Sequence, residues 1–585
     1  MNNPIFLFAA IVLLAAIVKK PAEASGTPKT SDAIWRKAVA DPAAAHLARP
    51  TPVQYDWQEQ DRVMFVHFGL ATWQEREYDD GSTPLSAIDP AHVDPDQWCR
   101  VAQSWGAKEI IFVAKHVGGF CWWPTETTDR CTRSIPWKHG TGDLVKDVAA
   151  ACRRHGLKMG LYVYPDDPEY AGGINVSGRS GRTADPSKQA EWNAKYRTQW
   201  TEVLTRCGPD LVNEVWLDGS CVIPLGDIFQ KYAPHAVVFQ GEHASIRWAG
   251  NEEGHLSDPA WATLKSSDLK GGVATQEQDD PDGDAWAPLE ADTTLYDHFW
   301  FWSAEHERTA RKPLAKLVDC YTRSSGRGGL LLLDSSPNTD GRIPDADAAA
   351  YHALGAEIDR RFGHPLGVAE HVAGDTAEID FRHPMSVGCS DLWEDYTYGQ
   401  RIRGYVVEGW VADHWETLAA GTAVGRRKID VFPAVMVSKL RVRVTQSVGT
   451  PLIRRLAAHA EGQTDGPQVS SAHTDTWQTV GTWSVPVGTD AQDIRTDLST
   501  AVSVAGQYEI RLTEAGGAAF TISQAAPWFE GIKADTAFLT QTGSHTFLLN
   551  RTQAIGPASS SAFHAHITAP AGSSGVIQIR WKQSR

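Results

Sequence analysis

The 585-residue sequence is poor in cysteine, in positive charge and in phosphate-binding glycine motifs, and each shortage removes a class of function. Its eight cysteines, at 99, 121, 131, 152, 207, 221, 320 and 389, include no pair at CxxC spacing, so a zinc knuckle or thioredoxin-like centre has no support. They are too sparse for a disulfide scaffold but compatible with a few bridges; eight allow 105 pairings, and none is assigned. Lys and Arg number 55 against 71 Asp and Glu, a net charge of −16, which argues against a nucleic-acid or anionic-membrane partner. No Gly-rich phosphate loop and no G-x-S-x-G elbow occurs, which argues against a nucleotide enzyme or a serine hydrolase. No cofactor and no metal is expected. His564 and His566 fall on one strand face, but far along the chain from the other candidate residues. The apolar run at 5–18 is shorter than the roughly 20 residues needed to span a bilayer. With Ala22-Glu23-Ala24 behind it, the run reads as a signal peptide cleaved after Ala24, placing a secreted or periplasmic mature chain without a membrane span. What the sequence does have is tryptophan, 23 residues or about 4%, whose flat apolar faces and single donor suit the C–H surfaces of sugars.

At about 150 residues per domain, this length predicts three to four domains. Between residues 60 and 363, continuous apolar runs at 63–68, 109–114, 159–164, 214–217, 236–239 and 330–333 alternate with helical patterns at 143–155, 313–322 and 346–362. Runs of this kind imply parallel strands buried on both faces. Six such units in about 300 residues predict an α/β fold, a (β/α)8-like (TIM) barrel over 49–363, with two units obscured between 245 and 312; a doubly wound sheet is the alternative. Residues 1–24 are the signal segment and 25–48 a leader. After residue 364 the pattern becomes strict alternation, as in Lys439-Leu440-Arg441-Val442-Arg443-Val444, which predicts antiparallel strands. Two β-sandwiches are expected, at 364–460 and 476–585, joined by an aperiodic polar linker at 461–475.

In a barrel, residues just after each strand converge on the catalytic mouth. His67, His116, Tyr164 and Asp218 hold such positions, and Trp216 stands beside Asp218. The carboxylate of Asp218 suits a nucleophile; a hairpin turn at Asp218-Gly219 is disfavoured because a helical pattern follows. His67 and His116 are either donors to sugar hydroxyls or core histidines. Retaining glycoside hydrolysis needs a second carboxyl about 5 to 5.5 Å from the nucleophile, and spacing leaves Glu242, Glu252, Glu253, Glu277 and Glu290 all open.

Several segments together resemble family 29 of the glycoside hydrolases, the retaining α-L-fucosidases. They are Val63-Met64-Phe65-Val66-His67-Phe68-Gly69 with Arg76-Glu77-Tyr78-Asp79-Asp80-Gly81, then Lys115-His116-Val117-Gly118-Gly119-Phe120, then Val215-Trp216-Leu217-Asp218-Gly219. Arg247-Trp248-Ala249-Gly250-Asn251-Glu252-Glu253-Gly254, Trp286-Ala287-Pro288-Leu289-Glu290-Ala291-Asp292 and the stretch at 331–341 complete the series over about 300 residues. The resemblance implies that Asp218 is the nucleophile, and, from the subgroup cleaving α-1,3 and α-1,4-linked fucose, that Glu252 is the acid/base, its proton held by desolvation and by the Asp218 charge. It implies fucose-binding roles for His67, Glu77 and His116; Tyr164, Trp216, Arg247 and Glu290 are further substrate-binding candidates, Glu290 also being the competing acid. A fucosylated glycan is the expected partner. The alternatives are a sugar-binding protein on a dead barrel and a retaining glycosidase with another sugar preference. The family's frequent His-His-Asp-Gly-Phe reads His116-Val117-Gly118-Gly119-Phe120 here, one donor short.

Overall fold

The computed structural model describes residues 29–269 and 272–460 and, beyond them, the strand segments between 478 and 582. The expected signal segment and linker lie outside the described residues. Eight parallel strands form the first unit: β1 (Arg62–Val66), β2 (Glu109–Lys115), β3 (Lys158–Val163), β4 (Val212–Trp216), β5 (Val237–Phe239), β6 (Arg247–Trp248), β7 (Leu289–Thr293) and β8 (Leu330–Ser335). They pair in the order β5-β4-β3-β2-β1-β8-β7-β6, and a parallel bridge from Phe239 to Ile246 closes β5 onto β6. The two strands hidden from the sequence pattern are β6 and β7. The first is only two residues long and the second reads Leu-Glu-Ala-Asp-Thr, so neither presents an apolar run.

Alternation explains how runs that look uniformly apolar serve two cores. Val63 and Phe65, Ile111 and Val113, and Leu330 and Leu332 point into the barrel, where they pack with Tyr162 and Trp216. Met64 and Val66, Ile110 and Phe112, and Leu331 and Leu333 face the helices. The helix predicted at 143–155 spans Leu144–His155; the Asp143 side chain accepts from Lys146 N at its start, and Gly156, at φ 66°, ends it.

The second unit is one antiparallel sheet of six strands, 367–373, 376–394, 402–411, 414–421, 428–447 and 452–459. Its two long strands are broken by bulges, and the bulge between Val387 and Cys389 shifts the inward phase: Ala377, Ile379 and Val387 before it and Leu392 after it reach the same core. Cys389 instead packs against the barrel's core with Ile429. This unit docks at the bottom of the barrel, where Arg426 lies 2.6 Å from Asp61, just ahead of β1, and Arg427 pairs with Asp391 at 2.8 Å. This unit leaves the mouth free. Beyond residue 477, a five-stranded and a four-stranded antiparallel sheet form the further sandwich. All eight cysteines are buried free thiols, so the few bridges that the sequence allowed are not formed.

Candidate active site

The inward phase of each strand, carried past its C-terminal end, supplies the mouth. On β1 the series Val63, Phe65 continues to His67; on β4, Glu214, Trp216 continues to Asp218; on β7, Glu290 is followed by Asp292; on β8, Leu332 is followed by Asp334. These ends surround a cleft of about 620 Å3, counting the part open to solvent, lined by His67, Glu77, His116, Trp216, Asp218 and Glu252 together with Phe65, Tyr78, Tyr162, Phe239, Gln240, Trp248, Asp292 and Trp300.

Asp218 is partly buried, and its Oδ2 accepts a 2.8 Å hydrogen bond from the Tyr162 hydroxyl. Burial pushes its carboxyl up, against the opposing pull of the Tyr162 hydroxyl, the nearby His67 and the Gly219 N–H. Glu252 stands on the loop after β6 with its Oε2 3.3 Å from Trp300 Nε1. It is solvent-exposed, so the burial expected around it is not provided by the protein's own residues. A bound sugar and its aglycone would have to supply that dry surrounding. Glu77 accepts the Trp300 backbone N–H at 2.7 Å, and burial lifts its carboxyl to about 7.

His67 Nδ1 lies 2.7 Å from Asp334 Oδ1; burial drives the imidazole down to about 3 and the carboxyl up, so the pair shares one proton and presents the neutral ring to the cleft. His116 is also driven down by burial and stacks on Tyr162 at 5.5 Å, and its Nδ1 has no hydrogen-bond partner among the described residues. Two neutral imidazoles suit hydroxyl recognition.

Trp216 forms part of the floor, stacked on Phe239 at 3.6 Å, with its indole N–H directed down to Glu214 at 2.7 Å and Glu290 at 3.1 Å. Glu290 therefore lies beneath the floor, fully buried, and does not line the cleft as a substrate residue or a competing acid would. It belongs to a carboxyl cluster inside the barrel. Glu214 accepts from Trp57 at 2.6 Å, and Glu109 accepts from Gln60 at 2.9 Å and Asn213 at 2.8 Å. Arg247 is also no substrate ligand. It is wholly buried, ion-paired with Asp279 at 2.9 Å, and donates to the carbonyls of Ala287, Thr275 and Trp261. Tyr164 sits behind Tyr162, where its hydroxyl accepts the Gly178 N–H at 2.9 Å. Its strand phase is right, but it lies one step beyond the ring of residues that meet the cleft.

The departure at Val117-Gly118 has a packing reason. Gly118 adopts φ 94°, and a Cβ there would come within 2.6 Å of the buried Asp79, whose carboxylate pairs with Arg130 at 2.5 Å. Arg130 also donates to the Gly118 carbonyl at 2.8 Å, so the loop bearing Glu77 and Tyr78 is tied to the one bearing His116.

Residues 43–360, more than half of the chain, match the family model described as Alpha-L-fucosidase. The chain belongs to the α-L-fucosidase family. It is thus a glycoside hydrolase. It is 28% identical over 469 residues to Alpha-L-fucosidase 1 of Arabidopsis thaliana, a match covering 71% of this chain and 88% of that protein. The solved structure of SpGH29 is similar, with 26% identity and a TM-score of 0.63 over 71% of this chain and 99% of the other. A glycoside hydrolase 29 family member from an unknown rumen bacterium, 23% identical, shares the fold with a TM-score of 0.65 over 92% of this chain and all of its own. The match thus extends beyond the barrel.

Sequence reasoning missed Asp292, which lies in the inward phase of its strand, and Trp300 and Tyr78, which arrive on loops with no periodic signal.

Proposed function

We propose that this fucosidase is exo-acting and retaining: Asp218 attacks the anomeric carbon to form a covalent fucosyl intermediate, while Glu252 protonates the leaving oxygen and then activates the water that releases fucose. The reading is carried by the presence of both carboxyls on one cleft at the barrel mouth, one held by Tyr162 at the end of β4 and the other beside Trp300 at the open rim. Among the described residues no Lys or Arg lines the cleft, so the positive charge that develops on the sugar in the transition state faces carboxyl groups. The neutral His67 and His116 and the aromatic walls serve a neutral deoxy sugar.

The preferred substrates are terminal α-1,3 or α-1,4-linked fucose in branched glycans. The resemblance of residues 76–81 and 247–254 to that subgroup supports this, as does a rim where Tyr78, 54% exposed, and Glu252 remain free to meet an aglycone. Binding energy from a branched aglycone orients the reacting centre and closes Glu252 away from water. The segment at 1–24 supports export to a secreted or periplasmic location. The test compares kcat/KM on a Lewis-type trisaccharide, a 2-linked fucosyllactose and an aryl fucoside. The trisaccharide should be preferred; preference for either of the others refutes the linkage assignment.

A further inference from the structure

Asp292 ends the inward series of β7 and meets the cleft beside Trp248. Its backbone is fixed from two sides: it lies in register with Leu332 of β8, and its carbonyl accepts the N–H of Gly254 at 2.9 Å, on the loop that carries Glu252. Its Oδ1 accepts the Trp248 indole N–H at 2.6 Å. Trp248 is the side-chain donor to this carboxyl among the described residues, and Oδ2 receives none from another side chain.

We propose that Asp292 is a substrate-binding residue whose Oδ2 donates a hydrogen bond to one hydroxyl of the sugar seated against Trp248. The proposal rests on the fucosidase reading for its ligand, a neutral 6-deoxyhexose. The charged and titratable groups around Asp292 are all carboxyls or neutral rings: Glu252 from the loop after β6, Asp218 from the end of β4, Glu290 below it on its own strand, and Glu77 and His67 on the same cleft. Burial, with the charges of Glu252 and Asp218, lifts the Asp292 carboxyl to about 8, so it keeps its proton at neutral pH. A protonated carboxyl is a donor.

Four donors at the cleft are already committed to carboxyls, which leaves His67, His116, Tyr78 and Gln240 to serve the sugar from the other walls. The indoles of Trp216, Trp248 and Trp300 serve Glu214, Asp292 and Glu252, and the Tyr162 hydroxyl serves Asp218. A sugar hydroxyl needs both a donor and an acceptor when water is removed, and a carboxylic acid in a dry site meets that need strongly. A residue that only oriented the Trp248 ring would use Oδ1 alone and would be indifferent to the sugar's hydroxyls.

The experiment measures equilibrium binding of L-fucose and its 2-, 3- and 4-deoxy analogues to the full chain, to Asp292→Ala and to Asp292→Asn, alongside hydrolysis of an aryl α-L-fucoside by the unaltered chain. Loss of one particular hydroxyl should weaken binding to the unaltered chain about tenfold and to Asp292→Ala less than about twofold, the size of one hydrogen bond. Asp292→Asn, which offers an acceptor to Trp248 and an amide donor to the sugar, should bind better than Asp292→Ala. Affinity of the unaltered chain should fall above pH 8, and that of Asp292→Asn should not. Equal penalties for every deoxy sugar in the unaltered chain and in Asp292→Ala overturn the proposal. If Asp292→Ala does not fold, an unchanged pH dependence in Asp292→Asn overturns it. Coupled binding without hydrolysis refutes the enzyme reading alone, hydrolysis without coupling refutes the Asp292 contact alone, and no fucose binding refutes both.

Discussion

Raising the pH should destabilise the barrel from its floor. Glu109, Glu214 and Glu290 are wholly buried beneath Trp216; burial lifts Glu109 to about 7, and burial with repulsion from neighbouring carboxyls lifts Glu214 to about 8 and Glu290 well above the usual range. An unfolded chain releases these protons near pH 4.3. The folded state therefore binds more protons than the unfolded state, so its stability is full below that pH and declines as pH rises from about 4.5 to 8. For Glu214 alone, the separation between about 8 and about 4.3 corresponds to about 5 kcal/mol. The three carboxyls titrate as a group, so their separate losses do not add. Even one such loss is comparable to a typical total stability of 5 to 15 kcal/mol. Glu290→Gln removes one charge from the cluster, keeps an acceptor for Trp216 Nε1 and gives the otherwise unpartnered Oε1 position an amide that can donate to Glu214. Hydrogen exchange of peptides covering 212–216 and 289–293, measured from pH 5 to 9 with correction for intrinsic exchange, reports the opening free energy of the barrel itself. The unaltered chain should lose about 4 kcal/mol across that range and Glu290→Gln at least about 2 kcal/mol less. A flat profile for the unaltered chain, or equal slopes in both proteins, would show that the cluster is not protonated as argued.

Other outcomes follow from the same geometry. Glu252→Ala should slow substrates with poor leaving groups by orders of magnitude while sparing activated aryl fucosides, as a plot of kcat/KM against leaving-group pKa would show; a uniform loss excludes it as the acid. Arg427→Ala should cost about 3 kcal/mol in urea unfolding, because it leaves the buried Asp391 carboxylate without its bidentate cation, with only the Trp393 indole N–H and His459 beside it at the junction of barrel and sheet. Tyr162→Phe should lower kcat by about tenfold or more by removing the hydroxyl that holds Asp218, and an unchanged kcat would deny that role.

The barrel was legible because continuous apolar runs at β1, β2, β3 and β8 satisfy a lumen and a helix layer at once. The strands β6 and β7 escaped for opposite reasons: one is too short to show a period, and the other carries Glu290 and Asp292 in its inward phase and so looks polar. The same phase rule reaches the site. Two-residue steps from Val63 to His67 and from Glu214 to Asp218 pointed at residues that do meet in the cleft, and the step from Glu290 to Asp292 would have found a further cleft carboxyl. What spacing cannot show is depth: Arg247, Glu290 and Tyr164 lie close in sequence to cleft residues, yet they are buried behind or beneath it, and whether a side chain meets the cleft or its foundations depends on packing. Loop residues such as Trp300 and Tyr78 are placed by contacts far away in sequence, among them the Trp300 N–H on Glu77.

A covalent bond from Asp218 to the sugar is the centre of the proposed mechanism. Incubating the full chain with a 2-deoxy-2-fluoro fucosyl donor bearing an activated leaving group slows both displacement steps and lets the intermediate accumulate, and peptide mass mapping then locates the sugar. A single fluorofucosyl adduct should appear on the peptide containing Asp218 and be absent in Asp218→Ala; an adduct on another carboxylate, or steady turnover to inverted fucose with no adduct at all, would contradict the mechanism.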